Sequence, residues 1–338
     1  MLSRRTPNGM ALNIAVQTGA RQAQGSSCGL QFPRGTLQVS LWIGILWVLL
    51  VPPEAQAKVG DVFSESVFAY TVRAEDTNTM TGTVSVKGIG QPSGLLSITN
   101  SVTSAGIAYV ITSVEGWGFA GCTGITQVVM SDTVTSIEGC AFIACYSLTN
   151  VTVPASVTNI GESAFSQSYS LTSIVIPEGV DVIRGWTFLN CSGLTNVVIP
   201  ESVHAILGQA FQGCNGLPTM MIPNNITNIA DYAFYGCSGL KQLVMGSNVT
   251  TLGEQVFEGC SGLTNVVLPE RVISVGYGLF TGCRSLANIT VCPNNPAFTD
   301  LDGVLFDKTK TRLVTFPNGR FGEYLVPESV TAIGMMSF

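Results

Sequence analysis

The chain has 338 residues, 46% of them hydrophobic and only 11% charged, with 37 glycines; so apolar a composition excludes intrinsic disorder. A formal net charge of −6, with no run of Lys or Arg, excludes the basic footprint of a nucleic-acid-binding surface. Ten cysteines raise the question of a disulfide framework or a metal site, and their spacing, taken below, decides it.

The first recognisable element is an apolar run at residues 37–51 (LQVSLWIGILWVLLV), preceded by Arg34 and followed by Pro52-Pro53-Glu54 and Ala55-Gln56-Ala57. A positive residue, a hydrophobic stretch, a turn and an A-x-A site are the order of a secretory signal peptide, with cleavage expected after Ala57. The run falls short of the ~20 apolar residues of a spanning helix. The alternative, an uncleaved signal anchor, would be the chain's one attachment to a membrane. The 36 residues ahead of the run exceed an ordinary n-region, as an upstream start codon would explain. Residues 1–57 are therefore set aside as a leader, and export would place the remainder where disulfides are permitted.

Residues 58–110 are expected to form a short β cap. From 111 to 291 a strict register follows: Phe recurs at 119, 142, 165, 188, 211, 234, 257 and 280, a constant spacing of 23. Three residues after each Phe stands Cys, with Ser168 the one exception. Six after stands Leu or Ile, and five before stands Val, Ile or Leu. In the unit CSGLTNVVIPESVHAILGQAF (191–211), Leu194, Val197 and Ile199 have the spacing of an extended segment with alternate side chains on one side. Pro200 ends that strand for want of an N–H, and Val203 and Ile206 return the chain along the opposite wall. Gly208, with Gly161 and Gly253 at the same place, is read as permitting the tight corner. One unit buries nothing by itself, so units must stack at ~4.8 Å into a continuous parallel sheet with ladders of identical side chains. The fold class is a β-rich, right-handed leucine-rich-repeat solenoid, with a Phe column as its spine and the Cys column beside it.

Residues 292–338 depart from the register. The next Phe in matching context after Phe280 is Phe338, 58 residues on, one repeat plus 35. The extra segment reads as a hairpin, with GVLFD and TRLVTF flanking the turn Asp307-Lys308-Thr309-Lys310. At Phe338 a further Gly-Cys would be expected, so the last repeat reads as truncated. An unpaired last coil, with Val330, Ile333 and Phe338 uncovered, would favour self-association.

The strings TVTSIEGCAFIACYSLTNVTVP (133–154) and GCSGLTNVVLP (259–269) follow, position by position, the unit of the BspA-like leucine-rich repeat family, also called the Treponema pallidum type. The chain resembles that family over about residues 80–338, and TGTVSVKGIG (81–90) through ITSVEGWGFAGC (111–122) looks like its N-terminal cap. The resemblance implies surface display, as in bacteria and some protozoa, with roles in adhesion or protein binding.

Catalytic chemistry finds little support. A Ser-His-acid or Cys-His enzyme needs an imidazole, and the one histidine, His204, occupies a slot filled elsewhere by Thr112, Thr135, Thr158, Thr227 and Thr250. No cysteine spacing forms a metal knuckle, since the close pairs are Cys140 with Cys145 and Cys283 with Cys292. The ladder cysteines are read as buried, reduced thiols acting as small hydrophobes. Glu138, Glu162, Glu178, Glu201, Glu254, Glu258 and Glu270 read as solvated corner residues without a shared register, and GWGFAGC and GYGLFTGC lack the GK[ST] of a phosphate loop. No cofactor and no metal are expected.

The more informative surface is the strand face pointing away from the core. Eight residues after Phe come Asn150, Ser173, Asn196, Thr219, Gln242, Asn265 and Asn288. Ten after come Val129, Thr152, Val175, Val198, Met221, Val244, Val267 and Thr290. A polar stripe beside an apolar one on a rigid sheet suits an interaction site. The candidate ligand-binding residues are Asn150, Thr152, Val175, Asn196, Val198, Met221, Gln242, Val244, Asn265 and Val267, and the partner is a protein or glycan at the cell surface. The alternative is a structural spacer presenting a further C-terminal domain.

Overall fold

Six strands make the entry to the array: β1 (Val62–Glu65), β2 (Phe68–Asp76), β3 (Thr81–Gly88), β4 (Gly94–Ile98), β5 (Ser101–Ser104) and β6 (Ile107–Val114). In the computed structural model, which describes residues 58–338, β1, β2 and β3 pair antiparallel and β3 then pairs parallel with β6. The signal-peptide reading of the leader, residues 1–57, lies outside the described residues. Strand β6 crosses the join between cap and first repeat and hands its edge to Ser136–Ile137, while β4 pairs parallel with Ile125–Met130. Polar contacts fix the cap to the first coils. The Arg73 guanidinium meets the Glu138 carboxylate at 3.2 Å and Lys87 meets Glu115 at 3.5 Å; the Gly116 amide donates to Glu138 at 2.9 Å.

Beyond the cap every unit lays down two short strands, and no helix occurs among the described residues. The return wall is the more regular: Val182, Ala205, Asn228, Thr251 and Ser274 pair in succession, each 23 residues from the last. Stacking on this register aligns the eight Phe rings as the sequence requires. All are buried, with centroids 5.2–5.8 Å apart and ring planes within 13° of parallel. One hydrophobic cluster runs unbroken from Tyr70 to Leu305 along this axis.

Two expectations need correction. The corner glycines do not supply positive φ: Gly161, Gly208 and Gly253 have ordinary backbone angles. Gly161 and Gly253 are glycine because the neighbouring coil is too close, since a Cβ on Gly161 would lie 2.7 Å from the Gly139 Cα and one on Gly253 2.6 Å from the Asp231 amide nitrogen, whereas one on Gly208 would meet only the Asp231 carbonyl at 3.3 Å. Left-handed backbone is carried instead two residues before Phe, by Trp117, Cys140, Ser163, Trp186, Gln209, Tyr232 and Gln255, at φ between 52 and 61°, and again two residues after it, by Ala144, Gln167 and Asn190 and by glycines such as Gly213 and Gly236. Such angles cost a non-glycine residue about 1–2 kcal/mol, offset by inter-coil hydrogen bonds such as the Tyr232 amide to the Glu254 carbonyl at 2.9 Å.

The second correction concerns the outward-facing sheet, which is not continuous. One block runs from β4 through Ile125–Met130, Asn150–Thr152 and Ser173–Val175 to Asn196–Val198; Thr219–Met221 pairs only with Gln242–Val244, and Asn265–Leu268 only with Asn288–Val291. Pro218 accounts for the first interruption. In the coils before it, Thr149, Thr172 and Thr195 each donate both N–H (2.8–3.1 Å) and Oγ–H (2.9–3.0 Å) to the carbonyl one coil back. Proline offers neither donor. Farther along the strand, Ile176 and Ile222 donate to Val198 and Val244, but among the described residues no such bond joins Ile199 to Met221. Val197 is correspondingly half-exposed where its counterparts Ile174, Met220 and Val266 are buried.

The hairpin expected in the elongated unit is present: Val304–Asp307 pairs antiparallel with Arg312–Thr315. The turn closes on the Asp307 carboxylate, which accepts from the Arg312 amide and the Thr309 and Thr311 hydroxyls, each at 2.8 Å. A preceding strand, Phe298–Leu301, and the short Ala332–Ile333 complete this sheet.

Candidate functional site

The outward strand face follows from the alternation of the pleat. In Thr219–Met221 and Gln242–Val244 the middle residue is buried and its two neighbours are exposed, and the same holds for Asn150–Thr152. Asn150, Asn196, Gln242 and Asn265 accordingly form one exposed row, and Thr152, Val175, Val198, Met221, Val244 and Val267 the other. Met221 is the most open of the apolar row, at 67%. No charged residue interrupts either row from Gln127 to Thr290. Asn288 donates to Asn265 at 3.4 Å along the polar row.

The interruption at Pro218 shapes this face. Where Asn196–Val198 and Thr219–Met221 part, a depression of about 650 Å³ opens, its lining including apolar Val198, Met221 and Val244 and polar Asn196, Thr219 and Glu201. Four of the candidate residues, Asn196, Val198, Met221 and Val244, are thus brought into one concavity; Asn150, Thr152, Val175, Gln242, Asn265 and Val267 lie outside its lining. Sequence reading ranked all positions of the face alike. The signal for the break, a proline where Thr172 and Thr195 precede it in register, was present in Leu217-Pro218-Thr219.

The carboxylates are ordered by register after all. Glu178, Glu201 and Glu270 occupy one position of the unit, just past the outward strand, and all are exposed. The two ion pairs among the described residues are both at the cap. His204 is exposed, and its backbone continues the inter-coil ladder, receiving from Thr227 at 3.0 Å and donating to Asp181 at 2.9 Å. Among the described residues no group of three or more Cys, His, Asp or Glu converges on a point that would hold a metal ion.

The Cys column does more than fill space. Cys145, Cys191, Cys214, Cys237, Cys260 and Cys283 each donate Sγ–H to the carbonyl of the Phe one coil back, at 3.1–3.2 Å. Ser168 makes the same bond to Phe142 at 3.2 Å. Size alone does not explain the column, therefore, since the exception preserves the donor. All nine described cysteines are free thiols. Burial pushes Cys145, Cys191 and Cys283 up to about 12, so these sulfurs remain protonated and inert rather than nucleophilic.

A family model for the BspA-type leucine-rich repeat region matches residues 95–218 and 208–338, in six copies. No curated protein sequence matches the chain. Among solved structures, a leucine-rich repeat protein from Bacteroides ovatus is 24% identical over 82% of this chain and 79% of its own, with a TM-score of 0.61. The leucine-rich repeat protein of T. pallidum is 23% identical, covering 67% of this chain and 91% of its own at a TM-score of 0.46. A leucine-rich cell surface protein from Faecalibacterium prausnitzii is 19% identical over 81% and 94%, at a TM-score of 0.38.

Proposed function

The chain belongs to the BspA-type leucine-rich repeat family, and from that premise we propose that it is a secreted or cell-surface adhesion protein whose outward strand face binds a protein or glycan ligand. The observation that carries the reading is the uncharged face itself. Val175, Val198, Met221, Val244 and Val267 are 45–67% exposed in consecutive coils, flanked by amide and hydroxyl side chains. Val suits strands wherever they lie, but Met221 does not owe its exposure to strand propensity. A rigid sheet presenting an apolar row also binds without ordering itself first, which limits the entropic cost of association. Binding rather than catalysis is the role this arrangement serves.

The test uses the full chain presented to an array of purified extracellular-matrix proteins, cell-surface proteins and neutral glycans. The triple variant Val175→Lys, Met221→Lys, Val267→Lys, spanning the face, is expected to lose at least about tenfold in affinity for whatever the natural chain binds. A control at the opposite wall, Thr250→Lys, retains it. Equal binding by the triple variant would place the site elsewhere, and absence of any ligand would favour the spacer reading.

A further inference from the structure

The geometry points to the Pro218 depression as a docking groove for an extended protein segment that carries basic residues beside apolar ones. This deepens the strand-face reading and rests on it. Three observations choose the occupant. The lining carries an apolar row, with Val198, Met221 and Val244 exposed in three consecutive coils, so it accepts hydrophobic side chains from a segment crossing the strands. The one ionisable side chain in the lining is Glu201, and Glu178 continues its row one coil back. Both carboxylates are exposed and neither belongs to an ion pair among the described residues. Lys241 stands at the other end of the strands, outside the lining. A ligand with its cations toward the glutamate row and away from Lys241 satisfies both ends.

The depression lies at the coil where proline replaces the ladder threonine. Pro218 supplies neither the N–H nor the hydroxyl that Thr195 gives to the coil before it, and the outward strands part there. The return wall stays paired across the same two coils, Ala205 with Asn228, and the Phe211 and Phe234 rings remain 5.3 Å apart. The opening is therefore a groove on one face and not a slot that admits a whole extra strand. Side chains enter while the ligand backbone lies across the surface, and the polar row, Asn196 and Thr219, offers it hydrogen bonds.

The probe is a capped, fluorescein-labelled peptide repeating lysine, leucine and proline, which stays extended and cannot assemble into sheets. Fluorescence anisotropy with the full chain should show saturable binding that weakens with added salt, as exposed charge pairs require. The same peptide with glutamate for lysine should bind about tenfold more weakly or not at all. Glu201→Gln should cost a few-fold, the scale of one exposed ion pair. Pro218→Thr should close the groove and lose about tenfold while the strand pairing, followed by amide exchange at Thr219, increases. Glu254→Gln, remote from the lining, should change nothing. Equal affinity for lysine and glutamate peptides, or for the natural chain and Pro218→Thr once exchange shows the ladder restored, overturns the groove. If the groove variants leave the array ligand untouched while the three-lysine variant abolishes it, the groove fails and the strand face stands. If that triple variant also binds normally, both readings fail.

Discussion

At the scale of single residues, the Cys column shows how a stacked fold uses a weak donor. Each coil presents a buried Phe carbonyl that already accepts the Cys amide three residues on, as Phe188 does from Cys191 at 3.1 Å, and a second hydrogen bond to its remaining lone pair contributes about 0.5–1.5 kcal/mol. The thiol one coil on reaches it at 3.1–3.2 Å and still packs as a hydrophobe. Cys214→Ser keeps a donor, as Ser168 does naturally, whereas Cys214→Ala removes the second donor to the Phe188 carbonyl, which retains only the Cys191 amide at 3.1 Å, and leaves a small void. The serine variant should therefore be the more stable of the two in urea denaturation; the reverse order would mean that volume alone governs the site. The same burial protects the sulfurs. A group held near 12 is almost wholly protonated at pH 8, and solvent cannot reach it. Iodoacetamide followed by peptide mapping should label the half-exposed Cys140 and Cys292 in the native protein and spare Cys191 and Cys283 until denaturant is added.

At the scale of elements, the elongated unit depends on one buried amide. Asn295 is fully buried, donates to the Pro269 and Val272 carbonyls at 2.9 Å, and accepts from the Ala297 and Phe298 amides at 2.9 and 2.7 Å. It ties the turn after the Asn265–Leu268 strand to the start of the Phe298–Leu301 strand. Asn295→Leu keeps the bulk but strands the Val272 carbonyl and the Ala297 and Phe298 amides, and leaves the Pro269 carbonyl only the Val272 amide at 3.4 Å, so a loss of about 3 kcal/mol or more is expected from several unmade buried bonds. Amide exchange should report it as opening of residues 298–315 ahead of the array; unchanged protection there would show that the hairpin docks through its apolar side chains alone. Asn295 was not legible in the sequence, because asparagine in a loop reads as a turn residue. The hairpin was legible, since its two runs alternate around a polar turn. So was the exposure of Val175, Met221 and Val244, because period 2 fixes a side chain's face without reference to neighbours. What escaped belongs to relations between coils: the Pro218 break, the glutamate row at 178, 201 and 270, and glycines set by a neighbour's backbone rather than by their own φ.

At the scale of the molecule, stability is distributed along one axis, because each coil touches only the coils beside it. The Phe column makes that testable. Phe211 is buried and has ring neighbours on both sides, Phe188 at 5.2 Å and Phe234 at 5.3 Å, whereas Phe280 stacks on Phe257 at the end of the column. Phe211→Ala deletes the ring, leaves a cavity between two planes, and should cost about 3–5 kcal/mol. In a globular core that loss would lower the stability of every element together. In this stack it should fall on the coils around 188–234 and split unfolding into two steps, since the cap and the first coils keep their own neighbours. Phe211→Leu retains most of the volume and should be milder, and Phe280→Ala should be milder than Phe211→Ala because one stacking partner is lost instead of two. Hydrogen exchange read coil by coil decides the matter. Protection falling evenly from β3 to the hairpin in both alanine variants would mean that the array unfolds as a single cooperative body, and that the column transmits stability over its whole length rather than from one ring to the next.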